Sequence, residues 1–144
     1  MIVGIGIDHI EISRIKKIIK KEKEKFLKRV FSEREIKYCE GKRNKYQHYA
    51  ARFTAKEAVY KALSPEGKAA PKEIRWRDIE VVNNASGKPE IILHNKALSF
   101  AKKVKVSKIF LSLSHNRDSA ICQAIIEANS HESLPHTIAQ KLGC

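Results

Sequence analysis

Cysteine, tryptophan and long apolar runs are scarce in this sequence. Its 144 residues include 3 cysteines, 1 tryptophan and 4 prolines, and aromatics make up only 7%. Cys39, Cys122 and Cys144 lie far apart and form no CxxC pair, which excludes a disulfide framework and a clustered zinc site. A reducing, cytoplasmic setting is the expectation. No stretch approaches the roughly 20 apolar residues of a membrane span. The apolar run Met1 to Ile7 meets Asp8 and Glu11 at once, so it does not read as a signal peptide. With few aromatics, aliphatic side chains must fill the core. Hydrophobic residues reach 42%, enough for one modest domain. Acidic residues are also in deficit: 16 Asp and Glu face 29 Lys and Arg, a formal charge of +13. That excess favours anionic partners and speeds their encounter. It does not choose among nucleic acid, anionic lipid, a phosphorylated small molecule and an acidic protein.

What is present reads as one α+β domain, a small antiparallel sheet packed with helices. Ile2, Val3, Ile5 and Ile7 predict a short buried strand, with Gly4 and Gly6 permitting close backbone packing. Ile12, Ile15, Ile18 and Ile19 then recur at helical spacing, with Arg14, Lys17 and Lys21 on other faces. Asp8 is thus expected at a strand-to-helix junction. Ser32 and Glu35 fit a capping box that opens a helix through about Cys39. An Ala-rich helix is expected from about Tyr46 to Leu63, free of internal Gly or Pro. Ser64 to Lys72 reads as a loop. Ile79 to Val82 and Glu90 to Leu93 predict a hairpin across an Asn- and Gly-containing turn. His94 to Val104 reads as helix, and Ile109 to Leu113 and Ala120 to Ile126 as strands. The tail from about Asn129 is polar, with one short helix expected near Thr137 to Leu142.

Three groups of residues invite chemistry. The first is Gly4-Ile-Gly-Ile-Asp8, a carboxylate ending a buried strand. It suits a metal ligand or an acid/base, and equally an N-cap for the next helix. The second is Arg52-Phe-Thr-Ala-Lys56-Glu57-Ala-Val-Tyr-Lys61. Arg52 and Lys56 share one helix face, and Glu57 and Lys61 share another. These residues suit a solvated face with ordinary ion pairs. Alternatively, cations gathered around one carboxylate on a central helix suit a phosphate-and-metal site. The third is Ser112-Leu-Ser-His115 at a strand end. It invites a serine-hydrolase reading, but the G-x-S-x-G elbow is absent.

Taken together, these motifs resemble the holo-acyl-carrier-protein synthase family. The N-terminal motif stands as Gly4-Ile-Gly-Ile-Asp8-His-Ile-Glu11-Ile-Ser-Arg14-Ile, and the central one as Arg52-Phe-Thr-Ala-Lys56-Glu57-Ala58 with Lys61 following. Trp76-x-Asp78-Ile-Glu80-Val, Gly87-Lys-Pro89 and Ser112-Leu-Ser-His115 follow in the family order. Two departures stand out: Ser64 to Pro71 holds a single glycine where the family has a glycine-rich stretch, and His9 replaces an aliphatic residue.

The resemblance implies a 4′-phosphopantetheinyl transferase fold over residues 1–127, with the polar tail 128–144 left without a role. It implies a homotrimer with active sites between subunits. The implied reaction moves the 4′-phosphopantetheine arm of coenzyme A to a serine of an acidic acyl carrier protein, with Mg²⁺ as cofactor. The products are holo-acyl carrier protein, used in fatty acid synthesis, and adenosine 3′,5′-bisphosphate. Asp8 and Glu57 are implied as metal ligands and, with Lys61, as catalytic residues, with Glu57 the candidate acceptor of the serine proton. Arg52, Lys56, Lys61, the turn Gly87, Lys88 and Pro89, and His115 are implied around the coenzyme. The resemblance also implies that the helix carrying Arg14 faces the carrier, and Lys17 and Lys21 follow at helical spacing on it. Two alternatives use the same charge: a nucleic-acid-binding domain, and a transferase serving other carrier proteins. The first lacks an aromatic stacking platform or a known binding motif. The second type usually has a longer chain built of two such halves. Neither nucleic acid nor membrane is expected as a partner.

Overall fold

Helix α4 (Lys45–Ala62) is the axis of the molecule. The computed structural model describes residues 1–64 and 69–129. The 18 residues of α4 are buried on most sides. Its alanines, Ala50, Ala51, Ala55, Ala58 and Ala62, are all inaccessible or nearly so. Small side chains let neighbours approach the helix backbone from several directions, which a leucine-rich helix would prevent.

The main neighbour is a three-stranded antiparallel sheet in the order β1-β5-β4, made of β1 (Ile2–Glu11), β5 (Ser119–Ala128) and β4 (Val106–His115). Gly4 and Gly6 lie on the face of β1 turned toward α4. A Cβ built on Gly6 would sit 1.9 Å from the carbonyl oxygen of Ala58, and one on Gly4 would sit 1.8 Å from that of Ala62. Strand backbone therefore rests directly on helix backbone. The close packing expected from these glycines is what the chain uses.

Strand β1 runs further than its apolar residues suggest. It continues through Asp8, which pairs with Cys122 of β5, and ends at Glu11. The ladder to β5 supplies backbone partners along this whole length, so the polar residues do not end the strand. Asp8 is consequently an interior strand residue and no helix cap; Glu11 holds the N-cap position. Helix α1 (Ile12–Glu22) then buries Ile15 and Ile19 and leaves Arg14, Lys17 and Lys21 exposed. Lys23, at φ +51°, breaks the chain before α2 (Glu24–Val30), whose Phe26, Leu27 and Val30 close a second core against Tyr49 and Phe31. Periodicity alone did not signal α2, because a left-handed lysine gives no sequence cue.

Helix α3 (Glu33–Glu40) opens on the expected capping box, with the Ser32 hydroxyl accepting from the Glu35 N–H and Glu35 accepting from the Ser32 N–H. The hairpin β2 (Ile79–Asn83) and β3 (Pro89–Leu93) forms a separate two-stranded sheet. Its turn places Gly87 at φ +82°, where a side chain would be strained. Helix α5 (Asn95–Lys103) buries Ala97 and Ala101. The fold is α+β, as expected, a small antiparallel sheet packed with helices. Part of the expected 64–72 loop and the short helix expected near 137–142 lie outside the described residues. Among the described residues no helix is long and apolar enough to cross a membrane.

The β1–α4 contact is directly testable. Gly6→Ala should lower the urea midpoint with an unchanged slope, at a loss of about 1–3 kcal/mol from overpacking. An unchanged midpoint would contradict the backbone contact.

Candidate functional site

Side chains alternate along a strand, so Asp8 falls on the same face as Gly4 and Gly6. The glycine contacts thus carry its carboxylate to α4. There the Lys61 ammonium donates to Asp8 Oδ1 and to the Ile7 carbonyl, each at 3.0 Å. The Asp8 side chain is only 16% exposed. Glu57 lies one helical turn before Lys61 on the same face of α4. One of its oxygens accepts the indole N–H of Trp76. Among the described residues the second oxygen of each carboxylate has no partner.

This pair suits a hard cation. Two carboxylates with free oxygens match Mg²⁺, which takes one or two carboxylates and completes its shell with water and substrate phosphate. Among the described residues no cluster of three or more His, Cys, Asp or Glu side chains could enclose a metal fully. Cys122 lies across the ladder from Asp8, yet its thiol is pushed up to about 12, first by burial and then by the Asp8 charge. Glu57 opens onto a cleft of about 360 Å³ lined also by Tyr60, Lys72, Ile74, Arg75 and Trp76. Apolar walls with lysine and arginine at the rim suit a ligand that is part hydrophobic and part anionic.

A second group sits on another face of α4. The Arg52 guanidinium lies 3.8 Å from the centre of the Tyr38 ring and donates to Asn83 Oδ1 at 2.8 Å. Asn83 in turn donates to the Gly87 carbonyl. This chain ties α4 to the turn that holds Gly87, Lys88 and Pro89. The Nε of Arg52 is buried with no partner among the described residues. His48 and His115 approach with ring centroids 6.3 Å apart. Burial first, then the charges of Arg52, Lys42 and His115, lower the His48 pKa below its usual 6.5. Arg52 and Lys42 bring positive charge beside the two rings, a setting that attracts an anion.

Lys56 belongs to neither group. It is 0% exposed, and its ammonium donates to Glu35 Oε1 at 2.7 Å, the Ile79 carbonyl at 2.6 Å and the Trp76 carbonyl at 3.0 Å. Its three donors are all engaged, so it contacts no ligand directly. Burial pulls its pKa below the usual lysine range, and the Glu35 carboxylate opposes that pull. The solvated-face alternative for this helix does not hold, since Arg52 is just 6% exposed. Two functional residues leave little trace in the sequence: Glu35, whose cap is visible but whose bond to Lys56 is not, and His48, four residues before Arg52. A third is Trp76, the only indole in the chain, whose signal is its rarity.

A model of the 4′-phosphopantetheinyl transferase superfamily matches residues 4–125. The holo-[acyl-carrier-protein] synthase of Clostridium tetani is 50% identical over 127 residues, covering 88% of this chain and 97% of that protein. That of Geobacter sulfurreducens is 41% identical, covering 88% of this chain and 98% of its own. Among solved structures, a holo-(acyl-carrier-protein) synthase from Bacillus anthracis in complex with CoA (3′,5′-ADP) superposes with a TM-score of 0.71 at 36% identity, covering 90% of this chain and 99% of that one. The enzyme of Neisseria meningitidis gives 0.78 at 28% identity, covering 88% and 99%.

The cationic group makes its own prediction. By NMR the His48 ring should titrate below 6.5 in the free protein and shift upward when inorganic pyrophosphate is added, since a nearby anion favours the protonated ring. A midpoint unmoved by the anion would show that the cluster does not bind one.

Proposed function

The chain belongs to the 4′-phosphopantetheinyl transferase superfamily, and we propose that it works as a holo-[acyl-carrier-protein] synthase. It transfers the 4′-phosphopantetheine arm of coenzyme A to a serine of apo-acyl carrier protein. The observation that carries this reading is the meeting of Asp8 with Lys61, one turn from Glu57, beside a half-apolar cleft. In the reaction a serine oxygen attacks the β-phosphorus of coenzyme A. The pyrophosphate P–O bond breaks, and adenosine 3′,5′-bisphosphate leaves. Anionic oxygens shield that phosphorus, so the protein must first lower the local negative charge.

Asp8 and Glu57 would hold Mg²⁺ through their free oxygens, and the ion, when bound, neutralises pyrophosphate charge and orients it for in-line attack. Lys61 adds a point charge held at the strand edge by the Ile7 carbonyl. Half of its side chain stays exposed, so it can reach a phosphate. Glu57 lines the cleft and takes the serine proton. Arg52, with His48 and His115, receives the other coenzyme phosphate, and the turn of Gly87, Lys88 and Pro89 closes over the same end. Lys56 acts from within the core, holding the wall of the cleft.

These two groups project from α4 about 140° apart, as residues 52 and 57 must on a helix of 3.6 residues per turn. One coenzyme meets both only where two subunits adjoin. The outer face of the sheet supports such an assembly: Ile5 is 61% exposed, and Ile7, Phe110 and Ile121 stand exposed beside it. Apolar residues in that number on one sheet face ask for cover. A homotrimer with shared active sites meets both requirements. The exposed Arg14, Lys17 and Lys21 of α1 form the docking face for an acidic carrier. The free, buried Cys39 and Cys122 suit the reducing cytoplasm. The transferase domain expected over residues 1–127 extends at least through Ala128, which is the last residue of β5 and pairs with Val106.

Intact mass spectrometry of an apo-acyl carrier protein incubated with this protein, coenzyme A and Mg²⁺ should show the gain of one phosphopantetheine. EDTA and Glu57→Gln should each abolish it. Raising the salt to 0.5 M should weaken apparent carrier affinity, because exposed charges steer the encounter. No mass gain from a folded, metal-replete sample would refute the assignment.

A further inference from the structure

We infer that Trp76 is a positioning residue for Glu57, and that Lys56 acts on the site by fixing Trp76. The inference rests on the reading of Glu57 as a carboxylate facing the metal. Trp76 is 40% exposed, an unusual place for the chain's single tryptophan. Its N–H could be satisfied by water, yet it points at Glu57.

Three contacts of different kinds hold the indole there. Its ring stacks on Phe53, with centroids 6.1 Å apart and planes 30° apart. Phe53 lies one turn before Glu57 on the same helix, so stack and hydrogen bond run along one face of α4. The Trp76 carbonyl accepts from the buried Lys56 ammonium. The 3₁₀ turn Trp76–Asp78 is pinned in its turn: Asp78 accepts from the Arg75 N–H and from the Asn95 amide, and its carbonyl accepts from the His94 N–H. Glu57 alone would sample many rotamers at the cleft edge. Fixing one oxygen sets where the other points.

The two carboxylates are thus held by opposite means. Asp8 is held by the charge of Lys61, Glu57 by a neutral donor. A neutral N–H orients the carboxylate without bringing a cation that would compete with the metal for it. Partners in the second layer around a metal typically change its affinity 10–100-fold when removed.

The test uses Mn²⁺ as probe in the presence of coenzyme A, with binding read by electron paramagnetic resonance. Trp76→Phe keeps an aromatic ring next to Phe53 and removes the indole N–H, with a smaller ring in its place. This variant should bind Mn²⁺ about 10-fold more weakly or worse, with the KM for the carrier unchanged. In the wild-type protein, tryptophan emission comes from Trp76 alone, so adding Mg²⁺ with coenzyme A should shift it, and Glu57→Gln should remove that shift. A Trp76→Phe variant that binds Mn²⁺ as the wild type does, or a wild-type emission unmoved by the ion, overturns the positioning role. If Glu57→Gln also binds Mn²⁺ normally, the assignment of Glu57 itself has failed. If Glu57→Gln loses the ion and Trp76→Phe keeps it, only the role of Trp76 has failed.

Discussion

The contact of β1 backbone with α4 backbone is the constraint on which the rest of this molecule depends. Gly4 and Gly6 have no Cβ, and Ala58 and Ala62 present carbonyls at their place. Because strand and helix touch so closely, the next inward residue of β1, Asp8, arrives within a hydrogen bond of Lys61. A strand held off by ordinary side chains would place that carboxylate several ångström away, out of reach of the helix. Packing and chemistry are therefore the same event here: the glycines matter to the site although they touch no ligand.

A buried ion pair organises the other side of α4. Glu35 accepts from the Ser32 N–H, the Lys56 ammonium and the Val81 N–H, while Lys56 also donates to the Trp76 and Ile79 carbonyls. Those bonds join α3, α4, the turn at Trp76 and β2. A charge pair this deep adds little net stability, because desolvation offsets attraction. Its value lies in geometry, since any shift of one element leaves a buried charge without its partner. The cleft wall beside Glu57 is built on it.

Much of this was legible in the sequence, for physical reasons. The capping box at Ser32 and Glu35, the alanine-rich α4 and the hairpin around Gly87 are local features with local signatures. Arg52, Glu57, Lys61 and Asp8 stood out because charges interrupt apolar periodicity there. What was not legible depended on long-range partners. Asp8 read as a junction residue because the ladder that carries β1 on to Glu11 is made with β5, over 100 residues away. The resemblance set Lys56 beside the coenzyme, and its spacing cannot reveal that Glu35 and two carbonyls surround it. The break at Lys23 left no trace in composition. The exposed sheet face needed the pairing of β1, β5 and β4 before Ile5, Phe110 and Ile121 could be seen as one patch.

In the assembly proposed above, α4 is two-faced, with Glu57 and Lys61 serving one active site and Arg52 serving the next. Co-expression of two impaired variants tests this most directly. Subunits carrying Glu57→Gln and subunits carrying Arg52→Gln, each inactive alone, should recover part of the transferase activity when assembled together, because some mixed interfaces join an intact Glu57 to an intact Arg52. Mixed assemblies as inactive as either parent would contradict a site shared between subunits.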